Sequence, residues 1–166
     1  APRAVHVYGE TKLLEETLIR QSIENSGLSA RIVRLAPVYG PGGLRPRFIR
    51  QFHEALRAGQ TIRVHRYLNG PAKLELLYID DAVAALAEIV RRDLQGLFHI
   101  GTGVSYAPLD VAEEIARLTG LPLQHTQSEL DEHVSNVLLG ARSEAGALDW
   151  APRTSLTEGL MRTLAL

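Results

Sequence analysis

The sequence predicts an α/β fold on three observations. Short β-branched or apolar runs alternate with stretches of helical periodicity, breaks bearing Gly or Pro part them, and no internal repeat interrupts the alternation. The first helix is predicted from about Tyr8, with Leu13, Leu14, Thr17, Leu18, Gln21 and Ile23 as its stripe, ending at Asn25-Ser26-Gly27. Ala30–Leu35 reads as a strand, and Pro37 with Gly40-Pro41-Gly42-Gly43 as the loop after it. A helix over Pro46–Ala58 stops at Gly59, Thr61–His65 is a strand, and Asn69-Gly70-Pro71 is a turn.

Leu74–Ile79 reads as one apolar strand, and Asp80-Asp81 as the cap of a helix through Val90. Leu97–Ile100 is a strand closed by Gly101-Thr102-Gly103, Leu109–Leu118 a helix, and Leu123–Thr126 a further strand. The polar stretch Gln127–Val137 has no clear period. Arg142–Leu148 and Leu156–Leu164 are predicted as closing helices, with Trp150 and Pro152 packing to anchor the last one.

Composition narrows the function. A net charge of −1 over 166 residues argues against a nucleic-acid partner. The absence of cysteine removes disulfides and thiolate chemistry, and fits a cytoplasmic setting. No apolar run approaches the roughly 20 residues that span a bilayer, so no membrane partner is expected. The six histidines show no metal-ligand spacing, so no metal is expected. Gly101-Thr102-Gly103 lacks the third glycine of a dinucleotide loop. Only two lysines accompany 16 arginines, which makes the position of each lysine informative.

One of them stands in Tyr8-Gly9-Glu10-Thr11-Lys12. Residues four apart at a helix start share a face. An ammonium beside a phenol favours the phenolate, and such a tyrosine exchanges a proton with a substrate oxygen near neutral pH. An exposed helix pair is the plainer reading of the same spacing. His6, two residues before Tyr8, either lines the same cleft or is structural. Arg45, Arg47 and Arg50 form either a phosphate grip or a solvated helix face.

Five blocks stand in order over nearly the whole chain. They are Tyr8–Lys12, Ile32-Val33-Arg34-Leu35-Ala36-Pro37-Val38-Tyr39-Gly40-Pro41-Gly42, Tyr78-Ile79-Asp80-Asp81-Ala82-Val83, Phe98-His99-Ile100-Gly101, and Leu148 through Leu160 around Trp150, Pro152 and Gly159. Together they resemble the extended short-chain dehydrogenase/reductase family, which includes UDP-glucose 4-epimerase-like and nucleotide-sugar dehydratase-like enzymes.

The resemblance implies the C-terminal portion of a Rossmann-like doubly wound fold plus a small α/β substrate-binding lobe. Residues 1–42 would finish the cofactor-binding domain. Residues 43–166 would be mainly the lobe, with strand 97–100 returning to the sheet. It implies NAD or NADP as cofactor, Tyr8 as catalytic acid/base, and Lys12 on the nicotinamide ribose. Pro37 and Val38 would lie beside the nicotinamide, and Ala36, Arg45, Arg47, His65 and Lys73 would face the substrate. Family chemistry takes a hydride from a sugar carbon while the tyrosine takes the hydroxyl proton.

Departures from the pattern temper the substrate. Ala36 stands where the family often has Asn, and Leu74, beside Lys73, stands where many nucleotide-sugar enzymes carry an Arg. The glycine-rich phosphate loop, its acidic ribose partner and a Ser/Thr normally lie upstream of the tyrosine. The 166 residues alone are therefore expected to be inactive, and to be a homodimer, through the outer face of the first helix, or paired with an N-terminal part of their own protein. The alternative function is a non-catalytic module that binds a small molecule or a protein.

Overall fold

The computed structural model describes residues 7–43, 47–136, 138–143 and 148–166; His6, Arg45 and the expected helix start at Pro46 lie outside them. Helix α1 spans Val7–Ser26. It ends at Gly27, whose N–H donates to the Ile23 carbonyl at 3.0 Å and whose φ of +65° is the left-handed conformation glycine adopts without strain. The half-buried residues of α1 are Gly9, Leu13, Glu16, Ile19 and Ile23, one stripe at helical spacing, and none is fully buried. Leu14 and Leu18, expected in that stripe, point outward and are 60% and 54% exposed. The charged Glu16 sits in the stripe instead.

Strand β1 (Arg31–Leu35) runs parallel to β7 (Gly96–Ile100), and the two-residue β10 (Arg142–Ser143) is antiparallel on the other side of β7. A helix was expected from Arg142; its first two residues instead pair with His99 and Phe98, so the sheet's need for a neighbour overrides local helix propensity. Ala36 continues the ladder by donating to the Ile100 carbonyl at 2.9 Å. The chain then shifts into β2 (Val38–Tyr39), parallel to β6 (Leu77–Tyr78).

Helix α2 (Arg47–Arg57) buries Ile49, Phe52 and Leu56. It leads into β3 (Ile62–Tyr67), longer than expected, and a hairpin through Leu68-Asn69 to β4 (Gly70–Pro71). Gly70 and Pro71, expected as the turn itself, are the paired arm of that hairpin. Strand β9 (His125–Leu130) lies parallel to β3 on its other side. It runs into the stretch whose polarity hid it, and no residue of β9 is buried, so the alternation that marks a half-buried strand is missing.

The expected single strand Leu74–Ile79 is two: β5 (Leu74–Glu75) pairs with β8 (Ser105–Tyr106), and β6 follows after Leu76. Leu76, Leu77 and Tyr78 are all buried, and they divide between two cores. Leu76 and Tyr78 join the cluster of α2, α4 (Pro108–Thr119) and α5 (Leu156–Leu164), with Val111, Ile115 and Leu160 at its centre. Leu77 faces the opposite way, into the cluster of α3 (Ile79–Arg91) and β7 with Ala85, Ile89, Phe98 and Ile100. One extended segment thus supplies both cores through its period of two. Each such buried side chain stabilises by about 1.5–3 kcal/mol. Leu148 and Trp150 pack on the second cluster, whereas the α5 residues Leu156, Leu160 and Leu164 pack on the first.

Asp80 and Asp81 do lie in the first turn of α3, where the helix dipole favours them, but neither side chain caps the helix. Asp81 is 5% exposed and accepts the backbone N–H groups of Arg153 at 3.1 Å and Thr154 at 2.9 Å. It fixes the segment entering α5. Helix α5 then begins at Ser155, whose Oγ accepts the Glu158 N–H at 3.2 Å.

Gly159 explains itself by its neighbour. A Cβ there would meet the hydroxyl of buried Tyr39 at 2.1 Å and its ring at 2.7 Å. Replacing Gly159 by Ala is expected to lower unfolding free energy by about 1–3 kcal/mol in a urea titration, the overpacking cost exceeding the helix-propensity gain. An unchanged or raised midpoint would contradict this contact.

Candidate functional site

Tyr8 and Lys12 stand one turn apart on α1 and share a face: the Lys12 Nζ lies 5.8 Å from the centre of the Tyr8 ring. Tyr8 is 75% exposed. Both line an open groove of about 500 Å³ between α1 and β1, with Ile19 on the same helix and Arg31–Leu35 along the other wall. The Lys12 ammonium also bonds Glu15 at 2.7 Å, and this carboxylate raises the Lys12 pKa above its ordinary value. The pair is exposed on both sides, so it is readily exchanged for another partner.

What orients this face is a second pair. Arg34, on β1, donates from Nε and Nη2 to the two oxygens of Glu16 at 2.7 and 2.6 Å. The side chains are 27% and 16% exposed, and the two parallel bonds fix direction as well as distance. The guanidinium holds the Glu16 carboxyl below its ordinary pKa.

Leu35 joins the groove to a pocket of about 260 Å³ beyond the end of β1. Ala36, Pro37, Leu74 and Leu139 wall it, and Lys73 stands exposed at its rim. Ala36 is buried, and the Pro37 carbonyl accepts the Leu77 N–H at 3.0 Å, so the turn from β1 to β2 is held from both sides. Val38 is half-buried and packs on the second core. Asn69 and Asn136 stitch the far wall. Asn69 bonds both backbone groups of Val134, at 2.8 and 3.0 Å, and Asn136 accepts the Lys73 N–H at 2.7 Å.

Four of the expected site residues gather here by pocket or groove: Tyr8, Lys12, Ala36 and Pro37, with Lys73 at the edge. Val38, Arg47 and His65 line neither space. Arg47 is exposed at the start of α2, and His65 alternates with the inward Val64 on β3, so its side chain faces out opposite Ser128. Arg45 lies outside the described residues. Tyr39 is packing, as its burial and its raised phenol pKa both show; desolvation is the main cause. Among the described residues no three His, Asp or Glu side chains converge on a metal-sized site.

Sequence reasoning missed Glu75. It is 2% exposed, and its carboxylate accepts the N–H groups of Gly103 at 2.6 Å, of Gly140 at 3.0 Å and of Leu139. The available signal was one acidic residue inside the apolar run Leu74–Ile79. Glu16 was missed for the same reason, a charge standing in an apolar stripe.

A parallel α/β core with a Tyr–Lys face beside β1 defines the class: a Rossmann-like α/β fold. A sequence model described as "NAD dependent epimerase/dehydratase family" matches residues 1–101, and the chain belongs to that family. It is 29% identical to a dTDP-L-rhamnose 4-epimerase of Burkholderia thailandensis over 96% of this chain and 45% of that protein. The solved structure of MoeE5 in complex with UDP-glucose and NAD is 30% identical, with a TM-score of 0.81 over 99% of this chain and 56% of its own. RMD from Pseudomonas aeruginosa, complexed with NADPH, shares the fold at 19% identity and a TM-score of 0.80, over 99% of this chain and 57% of its own. The chain thus spans about half the length of the proteins it matches. The extended short-chain resemblance and its Rossmann-like α/β expectation hold. No helix among the described residues is long and apolar enough to cross a membrane.

The Glu16–Arg34 fork carries a pH signature. A carboxyl whose folded pKa is depressed stabilises fully above its unfolded value, near 4.5, and loses that contribution as pH falls through the folded value. Glu16→Gln is expected to lower stability at neutral pH, with the gap to the parent narrowing as the pH falls below the ordinary carboxylate range. A gap that does not narrow as the pH falls in urea titrations would show that the Glu16 charge does not stabilise the fold.

Proposed function

We propose that the whole protein is an NAD- or NADP-dependent epimerase/dehydratase-type oxidoreductase, acting on a nucleotide-sugar or similar hydroxyl or carbonyl substrate. The observation that carries this reading is the common face of Tyr8 and Lys12 on a groove that continues, through Leu35, into the pocket at Ala36–Pro37. Family membership and relatives crystallised with NAD, NADPH and UDP-glucose support it. In this reading residues 1–42 complete the cofactor-binding domain. Residues 43–166 form mainly the substrate lobe, with β7 in the cofactor-side sheet.

The residues present fit a nicotinamide riboside. The groove is open, Ile19, Ile32, Val33 and Leu35 give it apolar surface, and Tyr8 and Lys12 offer a phenol and an ammonium beside the paired Glu16 and Arg34 and the charged Glu15 and Arg31. When bound, the nicotinamide supplies a hydride acceptor and donor. Tyr8 takes the proton of the substrate hydroxyl at its Oη and returns it to the oxygen afterwards. Lys12 would release Glu15, an exposed and weakly held partner, and donate to a ribose hydroxyl. Pro37 and Val38 bound the nicotinamide side, and Ala36 and Lys73 face the substrate. The zero cysteine count fits a cytoplasmic setting.

The partner in this reading is a second copy or the protein's own N-terminal part. Exposed Leu14 and Leu18 on α1 favour a covered face. Sedimentation of the 166-residue chain is expected to give a species heavier than one chain; a clean monomer would count against a self-partner.

Tyr8→Phe in the whole protein is expected to lower kcat by about 10²–10⁴-fold while the cofactor still binds. Turnover within a fewfold of the parent would overturn the catalytic role and favour a binding module.

A further inference from the structure

The loop Gly101-Thr102-Gly103 looks by composition like an anion cradle, yet the function above leaves it unused. Its seat is already filled from within. The Glu75 carboxylate rests against Gly101, where a Cβ would lie 2.3 Å from Oε1 and 2.8 Å from Cδ. It accepts the Gly103 N–H at 2.6 Å. From the opposite side the same carboxylate takes the N–H groups of Leu139 and Gly140. A side-chain carboxylate thus occupies a ring of backbone donors of the kind that elsewhere holds phosphate.

The consequence reaches the pocket. Leu74, next to Glu75, and Leu139, one of its donors, are two of the pocket's apolar walls. Leu139 belongs to a segment without helix or strand of its own before β10, and the bond to Glu75 is one of the contacts that place it. Leu139 also packs on the second core. A buried carboxylate with both oxygens engaged has no reason to move, and losing one acceptor oxygen leaves backbone N–H groups unpaired in a closed space.

We infer that Glu75 is a positioning residue for substrate: through Gly103, Leu139 and Gly140 it sets the wall of the Ala36–Pro37 pocket and thereby substrate affinity. This deepens the proposed function and rests on it. Glycine is required at 101 because the carboxylate sits where its side chain would be. Gly101→Ala therefore dislodges Glu75 without removing it.

The test uses the whole protein loaded with NAD, with UDP-glucose as the probe. Calorimetry measures NAD affinity first, then UDP-glucose affinity, and hydrogen exchange follows the amides of Gly103, Leu139 and Gly140. Glu75→Gln is expected to weaken UDP-glucose binding about tenfold or more, to speed exchange at those amides, and to leave NAD affinity within about twofold. Glu75→Asp is expected to recover part of the loss, and Gly101→Ala, available should Glu75→Gln fold poorly, to reproduce it. Unchanged UDP-glucose affinity in a folded Glu75→Gln or Gly101→Ala protein overturns the inference while the proposed function stands. Equal losses of NAD and UDP-glucose affinity overturn it too, since they mark a general structural defect. Failure of the parent to bind NAD, or to bind UDP-glucose once NAD is bound, instead overturns the cofactor or substrate reading, and this inference with it.

Discussion

The two-pronged bond between Arg34 and Glu16 is the constraint on which the proposed site depends. Helix α1 carries Tyr8 and Lys12 but buries none of its residues, so packing alone does not fix its rotation. A bidentate guanidinium–carboxylate pair does. Because Arg34 sits on β1 and β1 ends at Ala36–Pro37, the same strand fixes both the reactive face and the adjoining pocket. The apolar alternative at residue 16 would pack as well but would set no angle. Whether a partly buried pair adds net stability is secondary to that geometric role.

Two further buried carboxylates repeat the device with backbone as the partner. Asp81 ties α3 to the approach of α5, and Glu75 ties β5 to the loop after β7 and to the segment before β10. Each closes a long stretch of chain, and each spends acceptor oxygens on N–H groups that no strand or helix would satisfy. They operate around the short segment Leu76–Tyr78, whose alternating side chains serve two cores at once. The two cores are in this way joined through one short segment.

Much of this was legible in the sequence. Helices α2 to α5, strands β1 and β7, and the Tyr8–Lys12 face follow from periodicity, glycine stops and spacing. The unread parts share a cause: their determinants are distant in sequence. Glu16 finds Arg34 across 18 positions and Glu75 finds Gly140 across 65, and neither separation leaves a local pattern. The strand β9 is polar because it buries nothing, and β10 is a strand because β7 offers it an edge. Asp81 was read as a cap because a carboxylate at a strand–helix junction usually is one; here the loop before α5 competes for it and wins. Of the expected substrate residues, His65 shows how one step in strand register decides a side chain's face.

The most direct test of the account is a crystal structure of the whole protein with NAD bound. The Tyr8 hydroxyl and the Lys12 ammonium are expected on the same side of the nicotinamide riboside, with Lys12 parted from Glu15 and the Glu16–Arg34 fork intact. A cofactor seated on another face of α1, with Lys12 still held by Glu15, would contradict it.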